Sequence, residues 1–275
     1  MSPDLTIGQA LRQGIKILTE ARIEPPRLTA ELLLMHALQK ERVFLFSHSN
    51  DTLSELAWIH YGRYLHERIA GKPVQYITGR QEFFTRDFKV APGVLIPRPE
   101  TEHLIELILA LPQPLGSIAD AGAGSGAICV TLAAELRRPV IAIDLSAQAL
   151  AIARQNAASH KAPVHFLQSH WLSALRPASL DLLVSNPPYI ALTSQPILQR
   201  EVRDHEPALA LFAGPDGLDA YRILASQARD VLKPGARIVL EIGSLAARDL
   251  FADWLSREIR NDLAGRPCLL TALRP

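Results

Sequence analysis

Apolar residues recur at helical spacing through the first quarter of the chain. Ile7, Ala10, Leu11, Ile15 and Leu18 follow Thr6 and Gln9, whose types and separation form a capping box, and Pro25-Pro26 ends the run. Leu28, Leu32, Leu33, Met35 and Leu38 predict a second helix. A third is expected to start from Thr52 and Glu55, another capping box, and to stop near Gly71. All these apolar positions are read as core. Between residues 73 and 97 the pattern changes: Phe83, Phe84, Phe88, Val90, Val94 and Leu95, with Asp87, Pro92 and Gly93 among them, predict short strands and turns forming a connecting hairpin. Pro99 then sits where a helix start favours proline, with Glu100 and Glu102 in the first turn and Leu104 to Leu111 as the apolar body.

From Ser117 onward strands and helices alternate. Ile118-Ala119 leads into a glycine loop and a helix to about Arg137. Val140 to Ile143 is a strand, and a helix runs from Ser146 to about Ser159. Strands follow at Val164 to Leu167 and Leu180 to Val184, then a long loop, a helix around Asp219 to Val231, a Lys233-Pro234-Gly235 turn and a strand Arg237 to Leu240. Such alternation predicts an α/β fold with a mostly parallel sheet, helices on both faces, and a ligand site at the carboxyl ends of the strands.

Composition narrows the function classes. The 275 residues are 48% hydrophobic and 21% charged, as in ordinary globular protein. The net charge is +1, spread as +1 over residues 1–72, −1 over 73–110 and +1 over 111–275. No basic domain stands out, which counts against a protein that grips duplex nucleic acid by phosphate neutralisation. Cys129 and Cys268 belong to no CxxC pair, and the nine histidines show no metal spacing, so no metal is expected. The absence of a long uninterrupted apolar stretch and of a signal-like amino terminus predicts a cytoplasmic protein without a membrane partner.

The first strand end reads Asp120-Ala121-Gly122-Ala123-Gly124-Ser125-Gly126. Glycines there let the chain turn sharply and a ligand approach the backbone; a purely structural tight turn is the other reading. The spacing is GxGxG and not the GxGxxG of dinucleotide enzymes. Asp144, 18 residues beyond Gly126, ends the next strand. An acid there either hydrogen-bonds the ribose of a nucleoside or simply opens the following helix. Ser185-Asn186-Pro187-Pro188-Tyr189 ends a fourth apolar strand. Consecutive prolines remove two donors and stiffen the chain, so the Asn186 side chain and the Pro187 carbonyl become two rigid acceptors suited to an NH2 group, with Tyr189 to cover a planar one. Held by both hydrogens, a planar nitrogen is directed at an electrophilic methyl.

Glycine loop, acid and NPPY resemble the class I S-adenosylmethionine methyltransferases that act on planar nitrogens. Gly71-Lys72-Pro73-Val74-Gln75-Tyr76-Ile77-Thr78-Gly79, Glu82-Phe83, Pro92 to Glu102 with its PRPETE run, Glu206-Pro207 and Gly214 to Gly217 are similar to the release factor glutamine methyltransferases in particular. The resemblance implies a Rossmann-like methyltransferase domain over 98–275, a helical substrate-binding domain over 1–72 and a hairpin connector over 73–97. It implies S-adenosylmethionine as cofactor, S-adenosylhomocysteine as product, and class-one peptide chain release factors as protein substrate, methylated on the glutamine of their GGQ motif, with no direct nucleic-acid substrate. Gly122, Ala123, Gly124, Ser125 and Gly126 would line the cofactor, Asp144 hold its ribose, Trp171 lie by the adenine, and Asn186, Pro187, Pro188 and Tyr189 hold the glutamine amide.

His170 stands where the family usually carries an acid. The stretch from Trp254 to Pro267 shows no clear strand before Asn261-Asp262-Leu263-Ala264-Gly265, so a reduced carboxyl-terminal sheet edge is expected. Arg98, Glu100, Glu102, Glu206 and Glu241 remain open between site and structural roles. A glutamine methyltransferase of a large-subunit ribosomal protein, an adenine-N6 methyltransferase and a non-catalytic binding module are the alternatives; the even charge disfavours the second.

Overall fold

The structure is a computed structural model and describes residues 5–113, 115–262 and 264–275. The chain divides into two compact units. One extends to Gly79 and takes in Gln199–His205; the other comprises Arg80–Leu198 and Glu206–Pro275.

In the first unit, α1 (Ile7–Glu20) opens as its pattern requires: Thr6 Oγ1 accepts from Gln9 N at 3.2 Å, and Gln9 Oε1 accepts from Thr6 N at 2.8 Å. Its apolar stripe is buried with Leu33, Leu34, Tyr61 and Leu65 in one core. In α2 (Pro26–Leu38) Leu28 is exposed and Leu32 and Leu38 are half-buried, contrary to the expected core role, while Leu34 is fully buried. Three consecutive leucines leave periodicity unable to choose a face. The buried side also carries Glu31, whose carboxylate accepts from Arg27 Nε at 2.9 Å and Arg42 Nε at 2.8 Å. Arg42 belongs to a short helix absent from the sequence reading, α3 (Arg42–Ser47). The next helix, α4 (Glu55–Ile69), is capped by Ser54, whose side chain accepts from Ala57 N at 3.3 Å; Thr52, the expected cap, pairs instead with Thr6. A further unexpected helix, α5 (Val74–Thr78), ends on Gly79 at φ 78°, a conformation suited to glycine.

The second unit begins with the hairpin of β1 (Arg80–Phe83) and β2 (Arg86–Lys89), paired antiparallel, with Phe83 and Phe88 edge to face. A single helical turn at Pro99–Thr101 leads into α6 (Glu102–Leu109). Then come β3 (Ile118–Ala121), α7 (Ala127–Leu136), β4 (Val140–Asp144), α8 (Ala147–Ser159), β5 (Val164–Gln168) and β6 (Leu180–Ser185). They are followed by α9 (Arg200–His205), which lies in the first unit, and by α10 (Ala208–Leu211), α11 (Asp219–Val231), β7 (Leu232–Glu241), α12 (Ala246–Asp249), β8 (Leu255–Asn261) and β9 (Pro267–Leu273).

Seven strands form one sheet in the order β5-β4-β3-β6-β7-β9-β8, parallel except for the pairings that β9 makes with β7 and β8. Strand order reverses at β3, where an open α/β sheet leaves a crevice for ligand. Apolar side chains pack on both faces, one layer including Leu104, Ile108, Val130 and Leu132, the other Tyr221, Leu224, Phe251 and Trp254. The Lys233-Pro234-Gly235 turn lies inside β7, where Leu180 faces Leu232 and Leu182 already faces Arg237. The expected loss of the carboxyl-terminal edge is corrected: β8 is present and pairs with β9. As an edge strand, its sequence LSREIRN is exposed except at partly buried Ile259 and carries no alternation to read. Leu263, part of that expectation, lies outside the described residues.

Candidate active site

Four strand ends, those of β3, β4, β5 and β6, meet at one cavity of about 310 Å³. After β3 the chain passes through Gly122, Gly124 and Gly126, all at positive φ, before entering α7. The amides of Gly122 and Ala123 both donate to the Ile143 carbonyl, at 2.8 and 2.9 Å, so the loop is moored to the next strand. Asp144, at the end of β4, accepts from Gly124 N at 2.8 Å on one carboxylate oxygen and from Ser146 N at 2.8 Å on the other. It therefore holds the glycine loop and opens α8 at once, and it also lines the cavity.

The five loop residues divide. Gly122 and Gly124 line the cavity, whereas Ala123, Ser125 and Gly126 are buried and lie outside its lining. The Ser125 carbonyl accepts from Asn156 Nδ2 at 2.8 Å. Buried Asn156 also bonds both backbone groups of Lys89, joining the loop to the hairpin, and no motif in the sequence marks it. Trp171 lines the cavity from a left-handed backbone conformation, φ 53°, and exposed His170 lines it beside Trp171.

The remaining wall comes from two regions. Gly93, Val94 and Leu95 lie on a loop held by buried Glu206, whose carboxylate accepts from Ile96 N at 3.2 Å and pairs with the Arg98 guanidinium. Leu209 and Ala210 of α10 also contribute. Gly93 to Leu95 lie in the run that leads into PRPETE, whereas no motif in the sequence marks Ala210 or Gln148, whose Nε2 donates to the Pro92 carbonyl at 2.8 Å.

At the end of β6, Ser185 Oγ donates to the Ala121 carbonyl at 2.5 Å and fixes the strand against β3. Asn186 and Pro188 line the cavity, while Pro187 is buried and Tyr189 lies outside the lining with 37% of its surface exposed. The Tyr189 hydroxyl nevertheless turns inward, donating to Glu241 Oε1 at 3.4 Å. Burial, then the neighbouring Glu241 charge, pushes that phenol well above its ordinary pKa. Glu241 ends β7 and is itself buried, which raises its carboxyl; hydrogen bonds from Thr101, Tyr189 and Asn186 pull the other way.

The arrangement offers a carboxylate acceptor, backbone exposed by glycine, and apolar walls from Ile143, Leu145 and Trp171. That donor set fits a nucleoside whose base packs against apolar surface and whose hydroxyls meet an acid. Among the described residues, no group of three His, Cys, Asp or Glu could hold a metal ion, and no helix is long and apolar enough to cross a membrane.

Comparison with known proteins agrees with this geometry. Residues 101–209 match the methyltransferase small domain, and residues 9–79 match the PrmC N-terminal domain. A crystal structure of a methyltransferase from Pyrococcus furiosus superimposes with a TM-score of 0.51 at 16% identity, covering 78% of this chain and 98% of that one. Sheet order and crevice thus define a Rossmann-like class I methyltransferase fold. Release factor glutamine methyltransferases of Koribacter versatilis and Moorella thermoacetica are each 43% identical to it, over 98% of this chain and 99% of theirs. The chain belongs to the release factor glutamine methyltransferase family.

Proposed function

We propose that the protein transfers a methyl group from S-adenosylmethionine to the side-chain amide nitrogen of the glutamine in the GGQ motif of class-one peptide chain release factors, in the cytoplasm. The observation that carries the reading is one cavity lined both by Gly122, Gly124, Asp144 and Trp171 and by Asn186 and Pro188. When bound, the cofactor supplies an electrophilic sulfonium methyl and leaves as S-adenosylhomocysteine. The carboxylate of Asp144 receives the ribose hydroxyls, Trp171 packs by the adenine, and the loop Gly122, Ala123, Gly124, Ser125 and Gly126 brings backbone close to it.

Asn186 Oδ1 and the Pro187 carbonyl accept the two hydrogens of the glutamine amide, Pro188 keeps that carbonyl rigid, and Tyr189 covers the planar group. Water is kept away by the apolar wall, so the amide nitrogen faces the electrophile alone. As the new N–C bond forms the methyl–sulfur bond breaks, and the N-methylated amide then releases one proton to solvent as the product leaves. No residue is assigned as general base, because alkylation itself acidifies that N–H. Within this reading the helices of residues 1–72 hold the release factor, 73–97 connect, and 98–275 carry the chemistry.

The test is transfer of labelled methyl to a purified class-one release factor, beside the same factor with its GGQ glutamine changed to alanine. Label on the first alone is the expected result. Label on neither, with a ribosomal protein or adenine substrate labelled instead, would replace the substrate assignment.

A further inference from the structure

Thr101 closes the helical turn of the PRPETE run and is buried. Its hydroxyl donates to Glu241 Oε2 at 2.6 Å and accepts from Asn186 Nδ2 at 3.0 Å. The direction of this chain is fixed by proton count. The single Thr101 proton is given to Glu241, so only a lone pair is left for Asn186. The atom that Asn186 turns toward Thr101 must then be its NH2, which leaves Oδ1 as the free branch of the amide. Glu241 is anchored in turn: Tyr189 donates to its other oxygen, and Tyr221 Oη donates to its backbone carbonyl at 3.0 Å.

A carboxamide rotated by half a turn would present NH2 where the substrate also presents NH2, placing donor against donor. We propose that Thr101, held by Glu241, is the positioning residue that sets the amide orientation of Asn186 and thereby makes the site selective for a substrate that donates two N–H groups. This rests on the reading that Asn186 accepts from the substrate amide. Thr101 touches neither substrate nor cofactor in this role; it acts through Asn186.

The experiment uses the full-length protein with Thr101→Val, Thr101→Ser and Asn186→Ala. For each, kcat and KM are measured on the release factor, along with S-adenosylhomocysteine affinity by calorimetry and the thermal midpoint. Valine keeps the branched shape and removes the hydroxyl, so kcat is expected to fall by about tenfold or more, the worth of one orienting hydrogen bond. Cofactor affinity and KM should stay within about twofold of wild type on the same argument, since neither binding step uses the hydroxyl. Serine, which keeps the hydroxyl, should restore most of the rate. Should the valine variant not fold, Thr101→Ala carries the same comparison. Wild-type kcat in Thr101→Val would overturn the positioning role, as would equal losses in Val and Ser accompanied by weaker cofactor binding. Unchanged turnover in Asn186→Ala would instead overturn the underlying reading of Asn186.

Discussion

Asp120 lies inside β3 with no exposed surface. Cys129 N donates to its Oδ2 at 3.1 Å, and its Oδ1 has no hydrogen-bond partner among the described residues. Burial pushes the carboxyl up to about 7; the Cys129 hydrogen bonds oppose this and the Asp144 charge adds to it. In the unfolded chain an aspartate titrates near ~3.9. Between those values the native state keeps a proton that the unfolded state has lost, so stability falls as pH rises from about 4 to about 7 and is flat above. Three pKa units are on the order of 4 kcal/mol. Asp120→Asn exchanges no proton there and retains an acceptor for Cys129. It should gain stability over wild type as pH rises, by up to a few kcal/mol at pH 8. Urea unfolding of both proteins at about pH 4.5, 6 and 8 checks this; parallel pH profiles would refute it. The burial of Asp120 leaves no local signature in the sequence, since it depends on β4 and β6 covering β3. Asn186 and the glycines were legible because each motif is contiguous, whereas the Thr101–Glu241 contact joins residues 140 positions apart and leaves no local signature.

Among the elements, the approach of α1 to α4 turns on one glycine. A Cβ at Gly14 would lie 1.9 Å from Tyr61 Oη and 2.7 Å from its Cζ. Alanine ordinarily stabilises a helix interior by about 1 kcal/mol relative to glycine. Here the overlap should reverse the sign, and Gly14→Ala is expected to cost about 1–3 kcal/mol. The Tyr61 hydroxyl is buried without a hydrogen-bond partner among the described residues, and burial drives its pKa upward. Tyr61→Phe should therefore be neutral or stabilising by about 1 kcal/mol, and it should soften the effect of Gly14→Ala. Thermal melts of the two single variants and the double variant measure that coupling; additive effects would show that the helices separate instead. Elements with clear periodicity or buried strand runs were legible: α1, β4, β6 and α11 fall where their patterns place them. The short helices α3 and α5 were not, because one or two turns hold too few apolar positions to define a period. Polar β8 was missed because its strand character comes from pairing with β9 and not from a buried face.

At the scale of the molecule, the described residues that line the cavity all belong to the unit of Arg80–Leu198 and Glu206–Pro275. The alternation of strand and helix announced this sheet and its crevice, but not the loop of Gly93 to Leu95 or α10, whose place at the cavity is set by the buried Glu206 carboxylate. A ligand that binds only this cavity stabilises what surrounds it by an amount set by mass action, about 2.7 kcal/mol at a hundred times its Kd. Saturating S-adenosylhomocysteine should thus slow amide exchange up to about a hundredfold in β3, β4, β6 and the loops after them, wherever exchange requires that unit to open. Helices α1, α2 and α4, with their own core around Tyr61 and Leu33, should exchange at unchanged rates. Hydrogen–deuterium exchange with peptide resolution distinguishes the cases. Protection confined to residues 118–189 and 206–241 is the expected pattern, and equal protection across residues 7–69 would mean that both units respond to the ligand as a single cooperative body.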